Sequence, residues 1–560
     1  MKQLLFSVLV LLPAITGAQS VADDTPTILI QYQADRGSLR RFYTVQQSPE
    51  RCERFKKLDR DYLDRLGKLD FGRLPVDQQV DYVLFKRNLE SDLKQLGTES
   101  QEFGQVKDRF PFADSIYVLE KRRRRGLPVD GQAFARELER LSQQVEATRA
   151  AFKTPLPGKL AQRAGRVAQG LREALKSVYT FYYDYDPDFT WWAAKPYQRL
   201  YDQLAVYGRG FDPTEVREAP DSKEITGVSA GREELVRQLA YEYIPYSPEE
   251  LVDIANKEFA WCDRELLKAS REMGFGDNWK AAQEKVKNSY VPAGEQPALI
   301  LRLYNESIDF LKKHNLITIP PIAEETWRMS MMSPERQLIN PFFLGGEEII
   351  ISYPTSGMAH ADKLMSMRGN NPHFSKATVH HELIAGHHLQ GFMNDRYKTY
   401  RNFDTPFWTE GWALYWEMLL WDKGFAKSPE DRIGMLFWRM HRCARIIFSL
   451  NFHLGNWTPQ QCVDFLVDRV GHERANAEGE VRRSFAGNYP PLYQLAYMTG
   501  GLQFYALHHE LVDSKKMTDK ELHDAVMHLN ALPVELIRAS LTNGKLKPDY
   551  RAGWRFYDGR

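Results

Sequence analysis

Val379-His380-His381-Glu382-Leu383-Ile384-Ala385-Gly386-His387-His388-Leu389-Gln390 gathers four of the chain's 14 histidines and a glutamate into nine positions. Neutral imidazole is a good ligand for Zn²⁺, and a glutamate beside a ligand histidine can take a proton from activated water. Two histidines of one helix share an ion when they stand four residues apart, one turn, on one face. His381 and His387 are six apart, which in a regular helix is about 9 Å of rise and about 240° of rotation. The pairs His381–His388 and His380–His387 return to one face but lie about 10.5 Å apart along the axis. None of these pairs can hold one ion at about 2.0–2.1 Å. The spacing therefore predicts an interrupted helix. Gly386 permits the break, and a bulge at Ala385-Gly386 would restore a one-turn relation between His381 and His387. The ordinary alternative is a histidine-rich helix end with hydrogen-bonded imidazoles.

Downstream, Phe407-Trp408-Thr409-Glu410-Gly411-Trp412-Ala413-Leu414-Tyr415-Trp416-Glu417 is a helical stretch that sets Glu410 among apolar neighbours. A lone buried carboxylate is costly, so Glu410 needs a cation or a donor. Its distance from His387 leaves room for one helix to end, a loop to turn and a second helix to pack antiparallel, offering Glu410 as a third ligand. A helix cap or salt bridge is the plainer role. Glu417, seven residues on, shares the face two turns away and suits a supporting position. Upstream, Glu348-Ile349-Ile350-Ile351-Ser352-Tyr353 is the best strand-like run of a sequence otherwise patterned at helical spacing. Ser247-Pro248-Glu249-Glu250, Thr458-Pro459-Gln460-Gln461 and Thr518 with Glu521 carry helix-start chemistry. The fold class expected is mainly α, a large multi-helix body with a small β-sheet near the site.

The 560 residues, 43% of them hydrophobic, suffice for a large core. A net charge of +1 with mixed signs gives no reason to expect nucleic acid or an anionic membrane as a partner. The 12% aromatic content fits helix packing or a groove lined for peptide side chains. Lys2, the apolar run Leu4–Leu12 and the small residues Thr16-Gly17-Ala18 read as a signal peptide cleaved after Ala18. No later apolar run is long enough for a membrane span, so a periplasmic or secreted bacterial protein is expected. Cys52, Cys262, Cys443 and Cys462 lack metal or redox spacing and are expected to be mostly free, buried thiols. The chain divides into residues 1–18 (signal peptide), 19–315 (a helical N-terminal half) and 316–560 (the half carrying the chemistry). This boundary is soft, and the two halves can share one core.

Glu410-Gly411-Trp412-Ala413 resembles the third-ligand helix of aminopeptidase N-like zinc peptidases. Gly386-His387 looks like the corresponding step of the thimet oligopeptidase, angiotensin-converting enzyme and related helical carboxypeptidase families. The two segments together are most similar to the bacterial domain of unknown function 885 family, with its His-Glu, Gly-His-His-Leu-Gln and Glu-Gly-Trp-Ala-x-Tyr pattern. The likeness continues through Arg445, His453, Trp457-Thr458 and Tyr497-Met498-Thr499-Gly500, and is strongest over about 378–505. Ala385 stands where the family usually has Pro, Ser449 where Asp is common, and Tyr493 where Gln is usual. The resemblance implies one Zn²⁺ per chain on His381, His387 and Glu410, with Glu382 as general base and Tyr497 at the oxyanion. It also implies His453 as a second oxyanion donor or a helix cap, with His388 the alternative to His387 as ligand. Arg442, Arg445, Arg482 and Arg483 would include a clamp for a substrate carboxylate or serve in salt bridges. The Ile349–Tyr353 run would offer a sheet edge to a peptide or be a plain structural strand. The function implied is a secreted zinc metallopeptidase acting on small or medium peptides. The alternatives are a zinc-dependent amidase or esterase on a non-peptide substrate, and a non-catalytic peptide-binding protein retaining the fold. The sequence carries no signal for oligomeric state.

Overall fold

A computed structural model describes residues 24–152, 154–211, 225–337, 342–485 and 489–559. The signal-peptide reading of residues 1–18 lies outside the described residues. The fold is mainly helical, with a two-stranded parallel sheet. The helix starts form where the capping chemistry placed them: Ser247 with Glu250, Thr458 with Gln461, and Thr518 with Glu521 each make a reciprocal capping box. Strand β1 (Arg328–Met331) pairs in register with β2 (Glu348–Ile351), Arg328 opposite Glu348 and Met331 opposite Ile351. The strand predicted through Tyr353 stops two residues sooner. On the other side of β2, Leu344 and Ile350 exchange both backbone hydrogen bonds in an antiparallel bridge.

The site is built by five helices, numbered here along the chain: α1 (Pro372–Glu382), α2 (His387–Asn394), α3 (Pro406–Asp422), α4 (Pro429–His453) and α5 (Tyr493–His508). Phe407–Leu420 of α3 is buried almost without interruption, with Trp408, Trp412, Tyr415 and Trp416 among the largest fully buried side chains. A helix apolar all round has to be central, and much of the chain's aromatic content serves this packing.

The division near residue 316 does not separate two cores. One core takes Ile28, Leu58 and Phe85 together with Trp408, Phe504 and Ile537, and a second takes Leu235 and Phe259 together with Phe448 and Tyr497. A third, from Val45 to Tyr207, lies wholly in the N-terminal half. All four cysteines are free, three of them buried.

Candidate metal centre

Asn371 starts α1 by accepting from the backbone N–H groups of His373 and Phe374. The helix ends at Glu382, so His381 and Glu382 occupy its last turn. The chain then turns through Leu383–Gly386, with the Ile384–Ala385 peptide bond cis, and α2 begins at His387. The interruption is thus a full break between two helices rather than the predicted bulge. Gly386 is needed for closeness rather than for an unusual φ: a Cβ there would overlap the His381 carbonyl oxygen and lie 2.5 Å from its carbon. Its N–H donates to the His380 carbonyl at 3.0 Å. The break brings the His381 and His387 rings to 4.9 Å between centroids, at 87° to each other.

Helix α3 lays Glu410 beside both rings. Glu410 Oε2 is 3.5 Å from His381 Nε2 and 3.3 Å from His387 Nε2. Glu382 completes the group, its Oε2 4.0 Å from His387 Nε2. The outward nitrogens are held as well. His381 Nδ1 is 2.7 Å from Glu417 Oε1, two turns along α3 from Glu410. His387 Nδ1 is 3.0 Å from Gln390 Oε1, and Gln390 donates to the carbonyls of Trp408 and Thr409 at the start of α3. Each imidazole therefore turns Nε2 toward Glu410. A tetrahedral ion with ligands at about 2.0–2.1 Å spaces them about 3.3–3.4 Å apart, the separation found between Glu410 and each histidine. Glu410 Oε2 is buried with no hydrogen-bond partner among the described residues, as befits an atom aimed at a cation.

The carboxylates and imidazoles of the group also act on one another's charge. Burial favours neutral Glu410, but His387 and His381 outweigh it and hold the carboxylate well below its usual range. Burial would lower His387, yet the nearby charges of Glu410 and Glu382 raise it to about 9. Burial pushes Glu382 up, against the pull of both histidines. Three buried carboxylates, Glu382, Glu410 and Glu417, thus surround two imidazoles. The open side lies at His387 and Glu382, whose side chains keep 14% and 12% exposure.

Other candidates fall at various distances from this group. The Tyr497 ring on α5 stacks nearly parallel to His381, 6.1 Å away. His388 is directed elsewhere, with Nε2 2.8 Å from the Ala323 carbonyl and Nδ1 3.2 Å from that of Gly346. His380 packs edge-on against Phe425, and burial lowers it to about 4. His453 ends α4, eleven residues beyond Arg442 and so about 16 Å farther along the axis. Its Nδ1 accepts from the Ala230 N–H at 3.3 Å, and burial lowers it to about 4. None of its described contacts reaches the cluster. Arg442 and Arg445 are ion-paired, to Glu417 at 3.3 Å and to Glu480 at 2.7 Å. Arg483 is 3.8 Å from Glu480, and Arg482 beside it is half-buried.

Sequence reasoning missed three contributors. Tyr493, noted only for departing from a pattern, donates its hydroxyl to Glu410 Oε1; it lies one turn before Tyr497 on the same face. Gln390 stands three residues after His387, the spacing that makes helical neighbours. Gly345, next to the Leu344 bridge, lies so close to Glu382 that a Cβ would come within 2.6 Å of its carbonyl oxygen. This contact sets the strand region beside the candidate base, and no local signal announces it.

Fold and site together define a mainly helical protein with a buried two-histidine, two-glutamate cluster at a helix break. The chain belongs to the family described as "Bacterial protein of unknown function (DUF885)", whose model matches residues 43–541. A solved structure titled a "putative lipoprotein of unknown function" from Shewanella oneidensis is similar over 93% of this chain and 100% of its own, with 14% identity and a TM-score of 0.63. A "putative lipoprotein" from Colwellia psychrerythraea is similar over 93% and 98%, with 15% identity and a TM-score of 0.57. At these identities the likeness is one of fold. None of the curated proteins matches the sequence.

Proposed function

We propose that the protein is an exported zinc metallopeptidase that hydrolyses small or medium peptides. The observation that carries the reading is the convergence of His381 Nε2, His387 Nε2 and Glu410 Oε2 at ligand-to-ligand spacing, with Glu382 alongside. His381, His387 and Glu410 would hold the ion. When bound, zinc supplies Lewis-acid polarisation of the scissile carbonyl and activation of water. Glu382 takes a proton from the attacking water and delivers it to the leaving amine. Its position on the open side of the cluster suits that shuttle. Tyr497, kept protonated by burial and by the charge of Glu410 against the pull of nearby arginines, is the donor for the oxyanion. The kinship expected with thimet oligopeptidase-like and angiotensin-converting enzyme-like peptidases belongs to this reading. No helix among the described residues is long and apolar enough to cross a membrane.

The test combines metal analysis with a mixed peptide library read by mass spectrometry. The purified protein is expected to carry about one zinc per chain and to trim or cut library members. Glu382→Gln should keep the metal and lose turnover. Hydrolysis by Glu382→Gln at the parental rate would remove the mechanism, and a zinc-loaded protein that cuts no library member would remove the peptidase.

A further inference from the structure

Behind Tyr497 three buried arginines stand close together. The guanidinium carbons of Arg442 and Arg445 sit over the Tyr497 ring, 4.7 Å and 4.3 Å from its centre. Arg483 reaches the same region from a neighbouring helix, and all three arginines are at least nine-tenths buried. Among the described residues two carboxylates pair with them. Glu417 is shared between Arg442 and His381. Glu480 takes Arg445 at 2.7 Å and leaves Arg483 at 3.8 Å, beyond hydrogen-bond reach. Arg442 Nε, Arg445 Nη1 and Arg483 Nε have no partner among the described residues. Buried donors are ordinarily satisfied; Glu417 Oε2 and Glu480 Oε2 are unpartnered as well, and three buried guanidinium N–H groups without a partner among the described residues are placed to receive an anion. The guanidinium fork matches a carboxylate in a bidentate manner.

We infer that Arg442, Arg445 and Arg483 receive the free terminal carboxylate of a peptide, which makes the enzyme a carboxypeptidase. The inference rests on the peptidase reading and adds the end of the chain that is attacked. The reach is suitable. The Tyr497 ring is 6.1 Å from that of His381 and 4.3 Å from the Arg445 guanidinium carbon, so Arg445 lies within about 10 Å of the ligand imidazole. One extended residue spans about 3.5 Å. A carbonyl at the cluster and a carboxylate at the arginines are then separated by one or two residues, the length of the product released from the carboxyl end.

The experiment compares two peptides of one sequence, one ending in a free acid and one in an amide, with the full-length zinc-loaded protein. The free acid should be cut at its last one or two bonds, and kcat/KM for the amide should be about 10- to 100-fold lower, the range for losing a charged hydrogen bond. Arg483→Met should raise KM for the acid about tenfold or more, so that the ratio of kcat/KM for acid and amide falls toward one. Binding of both peptides to Glu382→Gln, followed by calorimetry, gives a readout independent of turnover, with the acid about tenfold tighter or more. Equal cutting of acid and amide, or cutting at internal bonds, overturns the inference while the peptidase stands. If neither peptide is cut but Glu382→Gln prefers the acid, the carboxylate site stands and the peptidase falls. Equal binding of acid and amide overturns the carboxylate site whatever the variants do.

Discussion

Gly386→Ala isolates the helix break from the rest of the site. An added Cβ would overlap the His381 carbonyl oxygen and lie 2.5 Å from its carbon and 2.7 Å from the His380 carbonyl oxygen. These atoms are backbone, so relief requires α1 and α2 to move apart and carries His381 and His387 with them. Overpacking costs typically 1–3 kcal/mol, and a clash with rigid backbone belongs at the upper end, about 3 kcal/mol. In a chain of 560 residues a loss of that size lowers the melting temperature by about 2–3 °C. Displacement of the two imidazoles should reduce zinc retention at least as much as loss of a supporting hydrogen bond does, about 10- to 100-fold in affinity. Gly391→Ala supplies the control within the same segment. A Cβ there meets nothing within 4 Å, and in the middle of α2 alanine is favoured over glycine by about 0.5–1 kcal/mol. Thermal melting and zinc content of the two variants, measured side by side, decide the matter. A Gly386→Ala protein that melts and retains zinc like the parent would refute the assignment of the break to this close approach.

Glu417→Gln keeps a hydrogen-bond acceptor for His381 Nδ1 but removes the charge shared with Arg442; zinc affinity measured by chelator competition should fall about 10- to 100-fold, and an unchanged affinity would mean that Glu417 does not tune the histidine. Asp431 joins α4 to α1 through His373 at 2.7 Å and Lys376 at 2.9 Å. Burial pushes its carboxyl up, but these hydrogen bonds and charges prevail and lower it from 3.8 to about 2. A carboxylate lowered in the folded state stabilises fully above its unfolded value and loses that contribution as pH falls from about 4 to about 2. Asp431→Asn should therefore cost about 2 kcal/mol near neutral pH, and the gap between variant and parent should close in acid. A gap that is independent of pH down to 2 contradicts the ion-pair account.

What could be read from the sequence was what local chemistry decides. A cap, a proline and a glutamate suffice to start a helix, and Ser247, Thr458 and Thr518 do so. The six-residue spacing of His381 and His387 is incompatible with one regular helix and one ion, so a break was demanded before its form was known. Its form was not legible, because a bulge and a four-residue turn satisfy the spacing equally, and only the packing of Trp412 and Gln390 on the turn distinguishes them. For His453 the sequence offers an oxyanion donor or a helix cap, and only the length of α4 shows where it stands. Pattern likeness grouped it with Tyr497, but α4 runs unbroken to residue 453 and carries that imidazole far along its axis to the Ala230 backbone. That the two halves can share a core was open from the sequence, but which residues share it was not, since a helical pattern says which face is apolar and not what covers it.

The placement of Glu410 against the histidines depends on contacts far from Glu410 itself. Trp412 Nε1 donates to the Ala385 carbonyl at 2.8 Å, and Gln390 ties α2 to the carbonyls of Trp408 and Thr409. These bonds fix the rotation and height of α3 relative to the turn between the two histidines. On its other side α3 meets α5 through glycine: a Cβ on Gly411 would lie 2.6 Å from the Gly500 backbone, and one on Gly500 would lie 2.8 Å from the Gly411 Cα. Side chains at either position would push α5 away, and with it Tyr493, the donor to Glu410, and Tyr497. A constellation for catalysis has to hold its geometry within about 0.5 Å. Here the spacing of α3 and α5 is set by backbone-to-backbone contact, which has no rotamers to relax. The glycines of Glu410-Gly411-Trp412-Ala413 and Met498-Thr499-Gly500 thus belong to the site as much as Glu410 and the two histidines do, because they set the distance at which the carboxylate and the imidazoles meet.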